Sequence, residues 1–148
     1  MDRPSIRRAI PGDAAAIAEL STQLGYPTTG SQSARRLSTV LESDDHAVFV
    51  ACRADGEIIG WVHVFKAVRI ESEPFAELGG IVVDRNHQGL GIGRQLVAAT
   101  ERWSARRGFS KLRVRSRVDR NSAHSFFEHV GFAAHKTQLI LDKTIDRP

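Results

Sequence analysis

Apolar and polar positions recur along this chain in two rhythms, and each rhythm places an element. Behind Pro11-Gly12-Asp13, the residues Ile17, Leu20 and Leu24 return at helical spacing, which predicts a helix over 14–24 with Asp13 as its N-cap. Ala34, Leu37, Val40 and Leu41 share one face with a polar back, predicting a second helix over 31–41. The stretches 47–52 and 57–65 are instead rich in β-branched and aromatic side chains. Ala54-Asp55-Gly56 between them is a hairpin signal, so they are expected to be antiparallel neighbours, with a short strand over 5–9 before them. Further strands are predicted over 75–83, 111–118 and 138–141. Helices are predicted from Ile92 through Leu96, Ala99 and Trp103 to a stop at Arg106-Arg107-Gly108, and over 122–130 before Gly131. Gly79-Gly80 lies inside the strand 75–83, where glycine is costly, and marks a bulge or a close approach to the backbone.

The composition narrows what such a chain can be. Its 148 residues suit one domain over 1–148, and 41% hydrophobic with 26% charged residues is an ordinary globular balance. No apolar run approaches the ~20 residues of a membrane span, and no signal-peptide pattern follows the charged start, so a cytoplasmic protein without a membrane partner is expected. The lone Cys52 cannot form an internal disulfide and is expected to pack in an apolar strand. The net charge of +4 is scattered among 17 acids rather than gathered in a tail, so a small polyanionic ligand explains it as well as nucleic acid, and no nucleic-acid partner is expected.

Chemistry enters between the strand ending at Val83 and the helix beginning near Ile92. Gln88-Gly89-Leu90-Gly91-Ile92-Gly93 is a glycine-rich turn that opens a helix. Glycines there admit positive φ and expose successive N–H groups, and the unpaired donors of a helix start attract phosphate. A nucleotide P-loop needs Gly-Lys followed by Ser or Thr, and a dinucleotide fingerprint needs G-x-G-x-x-G. The glycines at 89, 91 and 93 match neither.

This hexapeptide instead resembles the Q/R-x-x-G-x-G/A signature of the GCN5-related N-acetyltransferase (GNAT) superfamily. The order of elements along nearly the whole chain is similar, and Ala123-His124-Ser125-Phe126-Phe127-Glu128-His129-Val130-Gly131-Phe132 resembles the family's later A-x-x-F-Y-E-x-x-G-F segment. The resemblance implies an α/β (α+β) fold. Its mixed, mostly antiparallel sheet would have about six strands flanked by four helices, with a splay between the strand ending at Val83 and the one beginning near Lys111. It implies acetyl-coenzyme A as co-substrate and an amine acceptor, taken here as a small molecule, with protein acetylation or non-catalytic acyl-coenzyme A binding as alternatives. The N–H groups of Gln88, Gly89, Leu90, Gly91, Ile92, Gly93 and Arg94 would hold the pyrophosphate, and the backbone of Ile81, Val82 and Val83 would pair with the pantetheine arm. A homodimer is allowed by these residues and not read from them.

The same resemblance implies a mechanism. An amine is protonated at neutral pH, so attack on a thioester needs a proton acceptor. Glu77, on the strand leading into the turn, stands where the family often has its general base, and a backbone N–H near Val82 would stabilise the oxyanion. His63 is a second candidate base that reads more simply as structural. The remaining histidines show no metal-like spacing, so no metal is expected. Where the family usually has a tyrosine acid, this chain has Phe127, which donates no proton and would at most pack against the coenzyme. The coenzyme thiolate is a tolerable leaving group and can be protonated by water. Asn121 would cap the last helix or touch the coenzyme. Arg113, Arg115 and Arg117, alternating on one strand face, would form a solvated face balanced by nearby acids or attract coenzyme phosphate or an acidic acceptor.

Overall fold

The structure is a computed structural model, and it describes residues 3–148. The chain divides into two units, one running to Arg115 and the other Ser116–Pro148. The first unit contains β1 (Ser5–Arg8), α1 (Ala14–Gln23), α2 (Gly30–Leu41), β2 (His46–Cys52), β3 (Ile58–Arg69), β4 (Ser72–Val83), α3 (Ile92–Arg106) and β5 (Leu112–Val114). The second holds α4 (Asn121–His129) and irregular chain after it.

The five strands form one sheet in the order β1-β2-β3-β4-β5, antiparallel throughout except for the parallel pair β4–β5. Side chains alternate between faces, so β3 sends Gly60, Val62 and Val64 one way and Trp61, His63 and Phe65 the other. α3 covers the first face: a methyl group added at Gly60 would touch Leu96 and Ile92, both fully buried. α1 and α2 cover the second, where Ala14 and Leu37 pack on Val48 and Val50 with Trp61 against them.

Two strand expectations need correction. The sheet has five strands rather than about six, because 138–141 enters no ladder among the described residues, and Leu139, Ile140 and Leu141 are exposed. Apolar, strand-favouring side chains make a strand only where a neighbouring strand pairs with them, and none does here among the described residues. The strand expected over 111–118 is paired only over Leu112–Val114, since its partner turns away at Gly79.

Two capping expectations also change. Asp13 is followed by α1, but its carboxylate makes no cap bond to that helix. It accepts the Ile10 N–H at 2.9 Å and both guanidinium nitrogens of Arg7 at 2.8 and 2.9 Å. A charge-assisted bidentate pair outcompetes a helix cap. Asn121 is the first helical residue of α4 rather than its cap, a place taken by Arg120 without a side-chain bond.

The doublet Gly79-Gly80 does form a bulge. His63 pairs with Gly80 and Val64 with Leu78, which leaves Gly79 without a partner on β3.

Candidate functional site

The turn between β4 and α3 is exposed, and Gly89 and Gly91 hold φ of +80° and +81°, with Gly91 as the N-cap of α3. Only glycine occupies that left-handed region without cost, so the sequence pattern sets the backbone path. Among the described residues, none of the amide N–H groups of 88–94 donates to a protein acceptor. The helix ladder begins just beyond, with the Gln95 N–H donating to Gly91 O at 3.1 Å. Gly93 lies in the first turn of α3, Arg94 is exposed, and the Gln88 side chain donates to Val83 O at 3.4 Å. A cavity of about 580 Å³ borders the turn, lined by Gly91, Ile92 and Arg94 together with Arg3, Arg53 and His87.

A brace that the sequence did not disclose fixes the approach to this turn. Asp84 accepts from Gln23 Nε2 at 2.9 Å and contacts His87 Nδ1 at 2.6 Å, while Gln23 Oε1 accepts the Arg85 N–H at 3.1 Å. The bonds from Gln23 and His87 hold the Asp84 carboxyl below its usual range. The end of α1 is thereby tied to the start of the turn.

Upstream, β4 and β5 separate. Their pairing runs Ala76–Leu112, Glu77–Arg113, Leu78–Val114 and stops at the bulge, so Gly79 to Val83 have no strand on that side. The Asp84 N–H donates to Ile59 O at 2.8 Å, and alternation from that bond directs the Val82 N–H to β3 and those of Ile81 and Val83 to the open side. The Val82 side chain is 4% exposed.

Glu77 pairs with Phe65 across β3 and is 8% exposed. Its carboxylate lies 3.2 Å from Arg115 Nε and 3.8 Å from Arg69 Nη2, partners that sequence position could not suggest. Above it on the same sheet face stands His63, whose Nε2 is 2.9 Å from His46 Nδ1 with the two rings stacked. Burial, and then the neighbouring His46, push the His63 pKa down to about 4, so the ring is neutral near pH 7. The bulge glycines make room for these rings: a methyl on Gly79 would sit 2.6 Å from His63 Nδ1, and one on Gly80 2.9 Å from Trp61 Cη2.

In the second unit, Phe127 packs edge-on against Phe126 and Phe132, with ring centroids 5.3 and 5.6 Å away. Arg117 pairs with Asp119 at 3.0 Å rather than continuing the row of Arg113 and Arg115. Among the described residues, no group of three His, Cys, Asp or Glu could hold a metal ion, and no helix is long and apolar enough to cross a membrane.

Comparison with known proteins agrees with this geometry. Residues 15–132 match the model of the acetyltransferase (GNAT) family. An aminoglycoside N(6')-acetyltransferase type 1 from Stenotrophomonas maltophilia is 38% identical over 137 residues, covering 87% of this chain and 86% of the relative. A mycothiol acetyltransferase from Streptomyces avermitilis is 30% identical over 94% of this chain, which spans 46% of that longer protein. Among solved structures, aminoglycoside 6'-N-acetyltransferase AAC(6')-Ih from Acinetobacter baumannii superposes with a TM-score of 0.86 at 16% identity, covering 97% of this chain and 99% of that one.

Proposed function

The chain belongs to the acetyltransferase (GNAT) family, and from that premise we propose how its own residues carry out the transfer. It is an acetyl-coenzyme A-dependent N-acetyltransferase, and its acceptor is a primary amine on a small molecule. The observation that carries the reading is the turn at 88–94, exposed over 88–91, whose amide hydrogens have no protein acceptor among the described residues, standing beside an opened strand.

The diphosphate lies on the N–H groups of Gln88, Gly89, Leu90, Gly91, Ile92, Gly93 and Arg94, where glycine conformation and the start of α3 favour an anion. The pantetheine arm runs along Ile81, Val82 and Val83 as an added strand, its amides meeting the backbone groups of Ile81 and Val83 on the open side. The thioester carbonyl then reaches the level of the bulge. The amine nitrogen attacks that carbonyl, and the oxyanion is met by an open-side amide next to Val82, that of Ile81. Collapse breaks the carbon–sulfur bond and expels the coenzyme thiolate. Glu77 takes the proton from the amine, directly or through one water, and solvent protonates the thiolate, since Phe127 offers no hydroxyl. The family match runs through both units, which supports one domain over 1–148, and the need for acetyl-coenzyme A supports a cytoplasmic location.

The test is thiol release from acetyl-coenzyme A with a panel of amino acids, polyamines, aminosugars, aminoglycosides and peptides. Turnover with free amines and not with peptides is expected. Turnover with peptides alone would replace the acceptor class, and tight coenzyme binding without turnover on any amine would make the protein a binder rather than an enzyme.

A further inference from the structure

Positive charge is concentrated around Glu77 beyond what that carboxylate can balance. Phe75, 1% exposed and two residues before Glu77 on the same face, has Lys111 Nζ at 4.3 Å, Arg113 Cζ at 4.7 Å and Arg69 Cζ at 5.7 Å from its ring centre. Glu77 is already engaged by Arg69 and Arg115. Lys111 and Arg113 have no carboxylate within ion-pair distance among the described residues, and Arg113 is only half-exposed. Towards the far end of β4 a second register shift puts Ser72 opposite Arg69, and the acid beside it, Glu73, is exposed. The helices on this face do not restore the balance: the one ionisable residue of α1, Glu19, is exposed, and α2 adds Arg35 and Arg36.

Two unmatched cations held over one aromatic ring repel each other, and an incoming anion relieves that repulsion. A guanidinium beside an ammonium suits the geometry of a carboxylate or phosphate. A polycationic aminoglycoside would meet only like charge there. We propose that the acceptor carries an anionic group, a carboxylate or phosphate, in addition to its amine, and that Arg113 and Lys111 hold that group while the amine faces Glu77. The inference rests on the acetyl-transfer reading and narrows its acceptor.

The test compares acceptors that differ only in the anion: an amino acid against its amide, glucosamine 6-phosphate against glucosamine, and an aminoglycoside as the polycationic extreme. The anionic member of at least one pair should have the higher kcat/KM by about tenfold or more, and which pair responds separates carboxylate from phosphate. In Arg113→Gln and Lys111→Gln that ratio should fall about tenfold while the affinity for acetyl-coenzyme A is retained. A ratio that does not change in either variant, or a preference for the aminoglycoside, overturns the proposal and leaves acetyl transfer standing. No turnover with any amine, despite coenzyme binding, overturns both together.

Discussion

Replacing Gly91 by glutamate tests the turn more sharply than any other single change. Gly91 has φ of +81°, and a Cβ there would meet no atom within 4 Å, so the added side chain costs backbone strain but no clash. A non-glycine residue in this region loses ~1–2 kcal/mol, which for a chain of this size lowers the melting temperature by about 3–6 °C. The protein should therefore remain folded. The carboxylate would stand beside the unpaired amide hydrogens, and at ~5 Å from a diphosphate with an effective dielectric of ~20 each unit of charge repels by about 3 kcal/mol. That is more than about a hundredfold in affinity. Gly56→Ala supplies the matched control, because Gly56 has φ of +92° and equally open surroundings but lies in the β2–β3 hairpin. Titration calorimetry with acetyl-coenzyme A should give a near-normal Kd for Gly56→Ala and little or no binding for Gly91→Glu. Equal affinities for the two variants, both folded by circular dichroism, would refute the placement of the diphosphate on this turn.

Three further outcomes follow from the structure. Glu77→Gln should lower kcat by about a hundredfold or more with coenzyme affinity retained, as read from steady-state kinetics and titration; unaltered kcat would remove Glu77 from the proton path. Gly80→Ala pushes a methyl to 2.9 Å from Trp61 Cη2 and should cost about 1–3 kcal/mol, seen as a lower melting temperature and a shifted tryptophan emission. The Asp13 carboxyl is held below its ordinary value of 3.8, chiefly by Arg7, so its contribution is present above that value and is lost as pH falls through the lower folded-state value. Asp13→Asn should thus be less stable than the parent by about 1–2 kcal/mol at pH 7, allowing for the partly exposed Arg7, and the difference should shrink in urea titrations as pH is taken progressively below 3.8.

Local chemistry made the turn and the bulge legible in the sequence. Gly89 and Gly91 declare a backbone conformation that other residues avoid, and Gly79-Gly80 inside a strand declares a broken ladder; both statements survive whatever surrounds them. Contacts fixed by register were not legible. Nothing near Glu77 in the chain points to Arg115, 38 residues away, and Gln23 meets Asp84 across 61 residues only because α1 ends beside the turn. Asp13 shows how a correct local preference loses: its carboxylate could cap a helix, but β1 delivers Arg7 to it first. The 138–141 segment shows the converse, a sound strand pattern that enters no ladder among the described residues.

The unpaired residue at position 79 also sets a parity. Five steps separate Glu77 from Val82, an odd number that in an unbroken strand would point them to opposite sides, yet both share a side with Phe65 and Trp61 because Gly79 is counted out of the ladder. Deleting that one glycine would leave the length of the chain almost unchanged and would force a choice: swing the carboxylate in among Leu96 and its neighbours under α3, or turn the segment after the deletion over. The length of β4 at this one residue thus sets which side of the sheet Glu77 presents relative to Val82.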